Sequence, residues 1–305
     1  MRSFSVKLRL IYFPFLLTAA GFVLGYSILN AWLTIATSAI SWKEPVTDLW
    51  GPLILPIIPL AIWLRPRIKL LSLKSRRIDL LFLYLIVASL AIGLPTILLQ
   101  GYLRTSMGRL TSLQSIDKIA QIKPTKYYAA KIFYIDTAAA SFENTATSGW
   151  KGGSPKFTIY IACPIFNTKP LVDTGAAARR LAPQAWACLK YTRGLSNGLS
   201  ASEKREKWQD FVLATLEDFH HKDLSRLIYL DRMGDNWDRE YYERAIFKST
   251  YVTTMPRPLL ILEPRFTAFE ARNRNALSWV FGVFLIGALV WLGMLAIPRL
   301  DGDLS

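Results

Sequence analysis

The chain has 305 residues, of which 52% are hydrophobic and only 19% are charged, and its mean hydropathy is +0.25. This balance argues against a soluble domain and against a disordered chain, and two cysteines are too few for a disulfide-rich secreted scaffold. The net charge is +15, so the parts outside a membrane must be strongly basic. The composition therefore indicates an integral membrane protein.

Four uncharged stretches are long enough, or nearly long enough, to cross a bilayer, which takes about 20 apolar residues in a helix. We predict membrane segments at 11–33, 49–64 and 80–103, and a fourth within 275–298. The first follows a basic start, as a signal peptide does, but its apolar run is too long for one. We therefore expect it to be retained as a helix.

The second stretch is unusual because it is short and contains Pro52, Pro56 and Pro59. As a helix it would be roughly 24 Å long, and each interior proline removes a backbone donor and bends the helix. A short kinked crossing is the first interpretation, and a re-entrant or surface segment is the alternative. In either case neighbouring groups must satisfy the carbonyl groups that the prolines leave unpaired.

Basic residues in short loops predict the orientation, because such loops stay in the cytoplasm. The N-terminal tail has three basic residues and the first loop has only Lys43. The second loop has six: Arg65, Arg67, Lys69, Lys74, Arg76 and Arg77. We therefore predict a multi-pass protein of the cell membrane with a cytoplasmic N-terminus and the large segment outside. If the second stretch does not cross, that segment could instead be cytoplasmic.

The same basic loop is a candidate for contact with anionic lipids, although its effect on orientation would by itself explain its charge. The large segment, 104–274, is also basic and could lie on anionic headgroups. A solvated surface of mixed charge is the simpler interpretation of that segment. The expected partners are thus the bilayer and, beyond it, anionic lipids or another membrane protein, with no nucleic acid and an unknown oligomeric state.

Segment 104–274 is long enough to bury a core of its own. We predict β-structure at 127–136, 156–165, 185–191, 227–230 and 259–262, and a loop or hairpin connection at 137–154. Ser200 and Glu203 form a capping box that predicts a helix over 203–220, and Asp235 or Asn236 would start a second helix that ends at Phe247. These elements predict an α+β domain.

The predicted architecture is therefore an α-helical membrane protein with about four transmembrane helices and one extramembrane α+β domain between the third and the fourth. Its parts are 1–103, 104–274 and 275–305.

Few residues suggest chemistry. Cys163 and Cys188 both lie in predicted strands of the outer domain, where a disulfide and two buried thiols are equally plausible. His220 and His221 are adjacent and so do not share a helix face, as zinc ligands on a helix would. An active site built from carboxylates such as Glu217, Asp218 and Asp231 is a weaker hypothesis. We expect no cofactor and no metal.

Small residues in the predicted membrane segments favour close approach of helices. Gly21 and Gly25 form a GxxxG pattern in the first segment, and Ser89 and Gly93 have the same spacing in the third. Packing within the four-helix set is the simpler interpretation, and self-association is the alternative. None of the four segments contains an internal ionisable residue, which argues against a transporter or channel formed by this chain alone.

Several stretches resemble the membrane region that precedes the protease core in some bacterial rhomboid-class proteins. They are WGPLILPIIPLAIWLRPRIKLL at 50–71, YLDR at 229–232, LEP at 262–264 and EAR at 270–272. The serine of a GxSG motif and the membrane histidine that the class needs for catalysis are missing here. The resemblance implies an accessory, truncated or divergent member without protease activity. From the residues alone, the first hypothesis is a non-catalytic binding, sensing or scaffolding protein of the cell envelope.

Overall fold

The computed structural model describes residues 2–33, 43–73, 79–147, 154–169, 183–249, 251 and 259–298. It divides into two compact units, and each has its own core. The helical unit comprises Met1–Met107 and Glu270–Ser305, and the sheet unit comprises Gly108–Phe269.

The helical unit contains four helices: α1 (Phe4–Ala31), α2 (Val46–Ile68), α3 (Leu80–Ser106) and α6 (Ala276–Ala296). All four lie in stretches that are long and apolar enough to cross a membrane, which confirms the predicted number. A π-helical turn occurs in α1 at Leu8–Tyr12, and two occur in α2, at Val46–Trp50 and Leu60–Leu64. The helix α3 is capped by Asp79, whose side chain accepts a hydrogen bond from the amide of Phe82.

One end of the helical unit, the Lys7 end, joins the start of α1 to the end of α6. The buried Lys7 ammonium group donates to the carbonyl oxygens of Leu295, at 3.0 Å, and Pro298. The hydroxyl of Tyr84, near the start of α3, donates to the carbonyl of Met294 at 2.6 Å. A cation at the last carbonyl groups of a helix also complements the helix dipole. The starts of α1 and α3 therefore lie beside the end of α6.

The opposite end, the Arg104 end, brings the end of α3 to the starts of α2 and α6. Arg104 Nη1 lies 2.6 Å from Glu44 Oε2, just before α2. The hydroxyl of Thr105 donates to the side-chain oxygen of Asn273 at 2.5 Å, before α6. Consecutive helices therefore run in alternating directions, and α2 extends along the unit as the others do.

The proline-rich helix α2 is interrupted before Pro56, and α3 supplies a hydrogen-bond donor at the break. At the break, the carbonyl of Leu53 accepts a hydrogen bond from the hydroxyl of Ser89 at 3.0 Å. A Cβ atom at Gly93 would lie only 2.7 Å from the carbonyl oxygen of Pro52, so the two backbones are in close contact. The neighbour that a kinked α2 requires is therefore α3.

The helix α3 also packs closely against α6. A Cβ atom at Gly287 would lie 3.0 Å from Cβ of Ala91. Towards the Lys7 end, the indole of Trp291 is fully buried between Phe15 and Tyr84, with ring centroids 5.0 and 5.5 Å away. The central helix of the unit is thus α3.

The described part of the sheet unit contains eight strands and two long helices. The strands are β1 (Leu110–Ser115), β2 (Tyr127–Ile132), β3 (Tyr134–Ile135), β4 (Ser141–Thr147), β5 (Lys156–Phe166), β6 (Ala185–Gly194), β7 (Tyr229–Arg232) and β8 (Ile261–Arg265). The helices are α4 (Ala201–His221) and α5 (Trp237–Phe247). The strand order is β1-β2-β7-β8-β6-β5-β3, and β4 also pairs with β5. Strands β1 and β2 are parallel, as are β6 and β8, and the other pairs are antiparallel.

Two of these strands differ from the sequence prediction. The stretch 137–154 is predicted as a loop or hairpin connection, and within it Ser141–Thr147 is a strand that pairs antiparallel with β5. Strand β1 has no counterpart in the prediction. Both strands are rich in small and polar residues and have few β-branched apolar ones, because each has only one neighbour among the described strands and buries little surface. The α+β composition of the domain and the capping box of α4 are confirmed.

Each face of the sheet is covered by one helix. On the α4 face, Phe211 and Phe219 belong to one core with Ile161. On the α5 face, Tyr242 and Trp186 belong to a second core. Neighbouring strand residues point to opposite faces, which divides β5 and β6 between the two cores.

A tyrosine–aspartate hydrogen bond ties each helix to the sheet. On the α4 face, the hydroxyl of Tyr191 donates to Asp218 Oδ2 at 2.7 Å. On the α5 face, the hydroxyl of Tyr160 donates to Asp238 Oδ1 at 2.8 Å, and Lys190 Nζ lies 2.7 Å from the same carboxylate. These bonds fix where each helix lies along β5 and β6.

The close contact at Gly93 gives a stability prediction. We expect Gly93→Ala to destabilise the helical unit by about 1–3 kcal/mol, because its methyl group would press on the backbone of α2. Gly101→Ala is the matched control in the same helix, since a Cβ atom there has no neighbour within 4 Å. Thermal unfolding in detergent should show a lower midpoint for Gly93→Ala only. Equal midpoints for the two variants would contradict the close packing.

Candidate functional site

A buried polar network crosses the helical unit near the Arg104 end. The amide of Asn30 donates to Gln100 Oε1 at 2.8 Å, and Gln100 Nε2 donates to the hydroxyl of Ser27 at 3.0 Å. All three side chains are buried. Such bonds hold transmembrane helices together, here α1 and α3.

The network continues into an ionic cluster. Arg104 is paired with both Glu44 and Asp48, which joins α3 to the start of α2. The hydroxyl of Tyr26 donates to the carbonyl of Thr47 at 2.5 Å. A mostly apolar cavity of about 450 Å³ adjoins these residues between α1 and α2. The cluster holds α1, α2 and α3 together at this end, and we assign it no catalytic role.

The sequence prediction missed this network because it considered only ionisable residues inside the membrane segments. Asn30 and Gln100 are uncharged but can still pair across helices. A search for amide side chains within the apolar stretches would have found both.

In the sheet unit, the candidate carboxylates lie apart. Asp231 lies 2.8 Å from Lys126 Nζ and 3.1 Å from Arg265 Nη2, and the same guanidinium lies 2.7 Å from Glu263. Burial raises the pKa of Glu263, and the charge of Arg265 opposes that shift. Asp231 is thus part of an ionic cluster across β2, β7 and β8.

The other two carboxylates lie on α4. The hydrogen bond from Tyr191 lowers the pKa of Asp218, with a smaller contribution from the charge of Lys222. Glu217 is exposed. The structure does not bring either of them to Asp231, whose side chain alternates with Leu230 of the α4 core and so faces the other side of the sheet.

Both cysteines are buried and free. Cys163 belongs to the core on the α4 face, whereas Cys188 belongs to the core on the α5 face. Their side chains thus point to opposite sides of the sheet, an arrangement that favours two buried thiols over a disulfide. Burial raises the pKa of Cys163 to about 12 and that of Cys188 well above its ordinary value, so neither thiol is a ready nucleophile.

The four small residues singled out in the membrane segments lie in different surroundings. Ser89 and Gly93 contact α2. A Cβ atom at Gly21 or Gly25 would have no neighbour within 4 Å among the described residues, so neither glycine is in close contact with another helix. Gly21 lines an open cavity with Pro59 and Trp63 of α2. Self-association through Gly21 and Gly25 stays a prediction.

The basic loop is described in part. Arg65 and Lys69 are exposed, and Arg67 Nη1 donates to the carbonyl of Leu10 at 3.3 Å, which places the loop at the Lys7 end. Lys74, Arg76 and Arg77 lie outside the described residues. Contact of this loop with anionic lipid stays a prediction. Within the described ranges, no group of three or more His, Cys, Asp or Glu residues could hold a metal ion.

The clearest open site of the sheet unit is a groove between β4 and the first turns of α4. Its volume is about 400 Å³. Its lining residues combine aromatic, basic and small polar side chains: Asn144, Thr145, Ala146, Phe157, Ala201, Lys204, Arg205 and Trp208. The rings of Phe157 and Trp208 meet edge to face with centroids 4.7 Å apart. We call this site the β4 groove.

The β4 groove is not predictable from the sequence, because the pattern at 137–154 predicts only a loop or hairpin connection and places no strand beside α4. Only the strand pairing of β4 with β5 places Asn144 and Ala146 beside Phe157. The pairing of aromatic and basic residues at 204–208 was the one available signal.

Comparison with protein-family models, curated proteins and solved structures finds no significant match to this chain. The resemblance to rhomboid-class proteins therefore stays a prediction.

The burial of both thiols predicts their reactivity. We expect a maleimide at neutral pH to leave Cys163 and Cys188 unlabelled in the folded protein, because both are buried and protonated. After denaturation without reductant, both should be labelled. Labelling that requires a reductant even in denaturant would show a disulfide and contradict this arrangement.

The ionic cluster at Asp231 predicts a loss of stability on neutralisation. We expect Asp231→Asn to lower the unfolding free energy by about 2 kcal/mol, because it leaves Lys126 and Arg265 without their shared partner. Glu240→Gln, which breaks an exposed pair with Arg244, is the matched control and should cost less than about 0.5 kcal/mol. Denaturant unfolding measures both, and a similar loss in the two variants would argue against a structural role for the cluster.

Proposed function

We propose that this chain is a multi-pass protein of the cell membrane that displays its sheet unit outside the cytoplasm as a binding, sensing or scaffolding domain. The observation that carries the proposal is the β4 groove, an open site with aromatic and basic lining residues. It lies on a domain that shares one chain with four apolar helices.

The distribution of basic residues supports this orientation. The alternating helices put the start of α1 and the loop after α2 at the same end of the helical unit. This Lys7 end includes Arg65, Arg67 and Lys69. At the other end, Arg104 is paired with Glu44 and Asp48. The positive-inside rule then favours a cytoplasmic Lys7 end.

The polar chemistry of the sheet unit supports binding over catalysis. Asp218 and Asp238 tie helices to the sheet, Asp231 and Glu263 pair with basic neighbours, and both thiols are buried. The β4 groove, in contrast, exposes side chains suited to contact a ligand. Binding residues are commonly placed in such clefts on a rigid scaffold.

Reporter cysteines test the orientation. Lys207→Cys places an exposed thiol on the sheet unit, and Lys69→Cys places one at the Lys7 end. With the native cysteines buried, we expect an impermeant maleimide to label Lys207→Cys on intact cells and Lys69→Cys only after permeabilisation. The reverse pattern would overturn the proposed orientation.

A further inference from the structure

The exposed edge of β4 is unusually regular. The strand pairs with β5 at seven consecutive positions, from Ser141 opposite Ala162 to Thr147 opposite Lys156, without a bulge. Among the described residues, no strand lies along its other side. Proteins commonly protect such edges with proline, lysine or a bulge. Here the only charged residue of the strand, Glu143, is paired with Lys248, whose Nζ also lies 3.5 Å from the carbonyl oxygen of Phe142. A lysine therefore covers the edge at Phe142, and the part of the edge that can accept another strand is Asn144–Thr147.

Side chains of β4 form one wall of the groove. Asn144 lies opposite Ile159 and Ala146 lies opposite Phe157, so both point to the α4 face. The small side chain of Ala146 leaves the aromatic surface of Phe157 and Trp208 open to the groove. A strand added to β4 would place every second side chain in the groove.

The charge of the groove favours acidic side chains. Lys204 and Arg205 line it. The neighbouring Glu203 does not line the groove, and its carboxylate turns back to accept hydrogen bonds from the backbone amide and hydroxyl of Ser200. Arg193, opposite Phe157 on β6, adds a further positive charge on the same face.

We propose that the β4 groove binds an extended peptide, which adds to the edge of β4 as a strand and places alternating acidic and apolar side chains in the groove. Backbone hydrogen bonds to β4 supply affinity, and the groove supplies specificity, as in other cases of strand addition. The inference rests on the proposed binding function and names its ligand class.

The test uses the purified full-length chain in detergent and a fluorescent peptide, Thr-Glu-Thr-Leu-Thr-Glu-Thr. We expect anisotropy to show binding, and Arg205→Glu to weaken it by about fivefold or more through loss of a charge-assisted contact. Lys207→Glu makes the same charge change on an exposed residue of α4 that does not line the groove, so it should bind within about twofold of the wild type.

Two further peptides separate strand addition from attraction of charge alone. A peptide with lysine in place of glutamate should not bind. One with proline in place of leucine and of both inner threonines should lose binding, because it lacks the central backbone N–H groups that could pair with β4 in either strand direction. Hydrogen exchange should slow in Asn144–Thr147 and not in β1 when the acidic peptide is present.

The proposal is overturned if the acidic peptide does not bind at about 1 mM, which is the limit of useful affinity. It is equally overturned if binding leaves exchange in β4 unchanged, or if inorganic polyphosphate displaces the peptide and the proline peptide binds as well. These assays do not depend on orientation, so their failure is distinct from failure of the reporter-cysteine test.

Discussion

The need to pair the backbone carbonyl groups of a proline-rich helix determines how the helical unit is built. In an apolar environment, an unpaired carbonyl has no water to bind, so α2 requires a partner at its break. Ser89 supplies a hydroxyl and Gly93 supplies room for close contact. The helix α3 also packs against Gly287 of α6, and its Gln100 accepts a hydrogen bond from the amide of Asn30 in α1. It is therefore the common partner of the other three helices.

The sheet unit uses most of its polar side chains to fix its own layers. The Tyr191–Asp218 and Tyr160–Asp238 bonds hold a helix on each face, and the cluster around Asp231 ties β2, β7 and β8 together. The β4 groove lies outside these ties. Lys204 and Arg205 line this groove and do not take part in those ties, and the groove lies beside the open strand edge of β4. We therefore assign binding to the β4 groove.

The sequence predicted the parts of the fold that depend on local pattern. Apolar stretches predicted four helices, and the Ser200–Glu203 capping box predicted the start of α4. What depends on distant neighbours was not predictable: β4 is small and polar because it is an edge strand, and Cys163 and Cys188 are separated by the alternation of side chains across paired strands. For the same reason the β4 groove appears only once β4 and α4 are placed together.

The most direct test of the account is the depth of α2 in a bilayer, because the orientation argument depends on α2 crossing it. Spin labels at the exposed positions Leu49, Ile54, Ile58 and Ile62 would report depth through collision with oxygen and with a water-soluble nickel complex. We predict the greatest depth at the middle positions and shallower positions towards both ends. A uniformly shallow α2, or a depth that only increases from one end to the other, would show that the helix does not cross and would contradict the account.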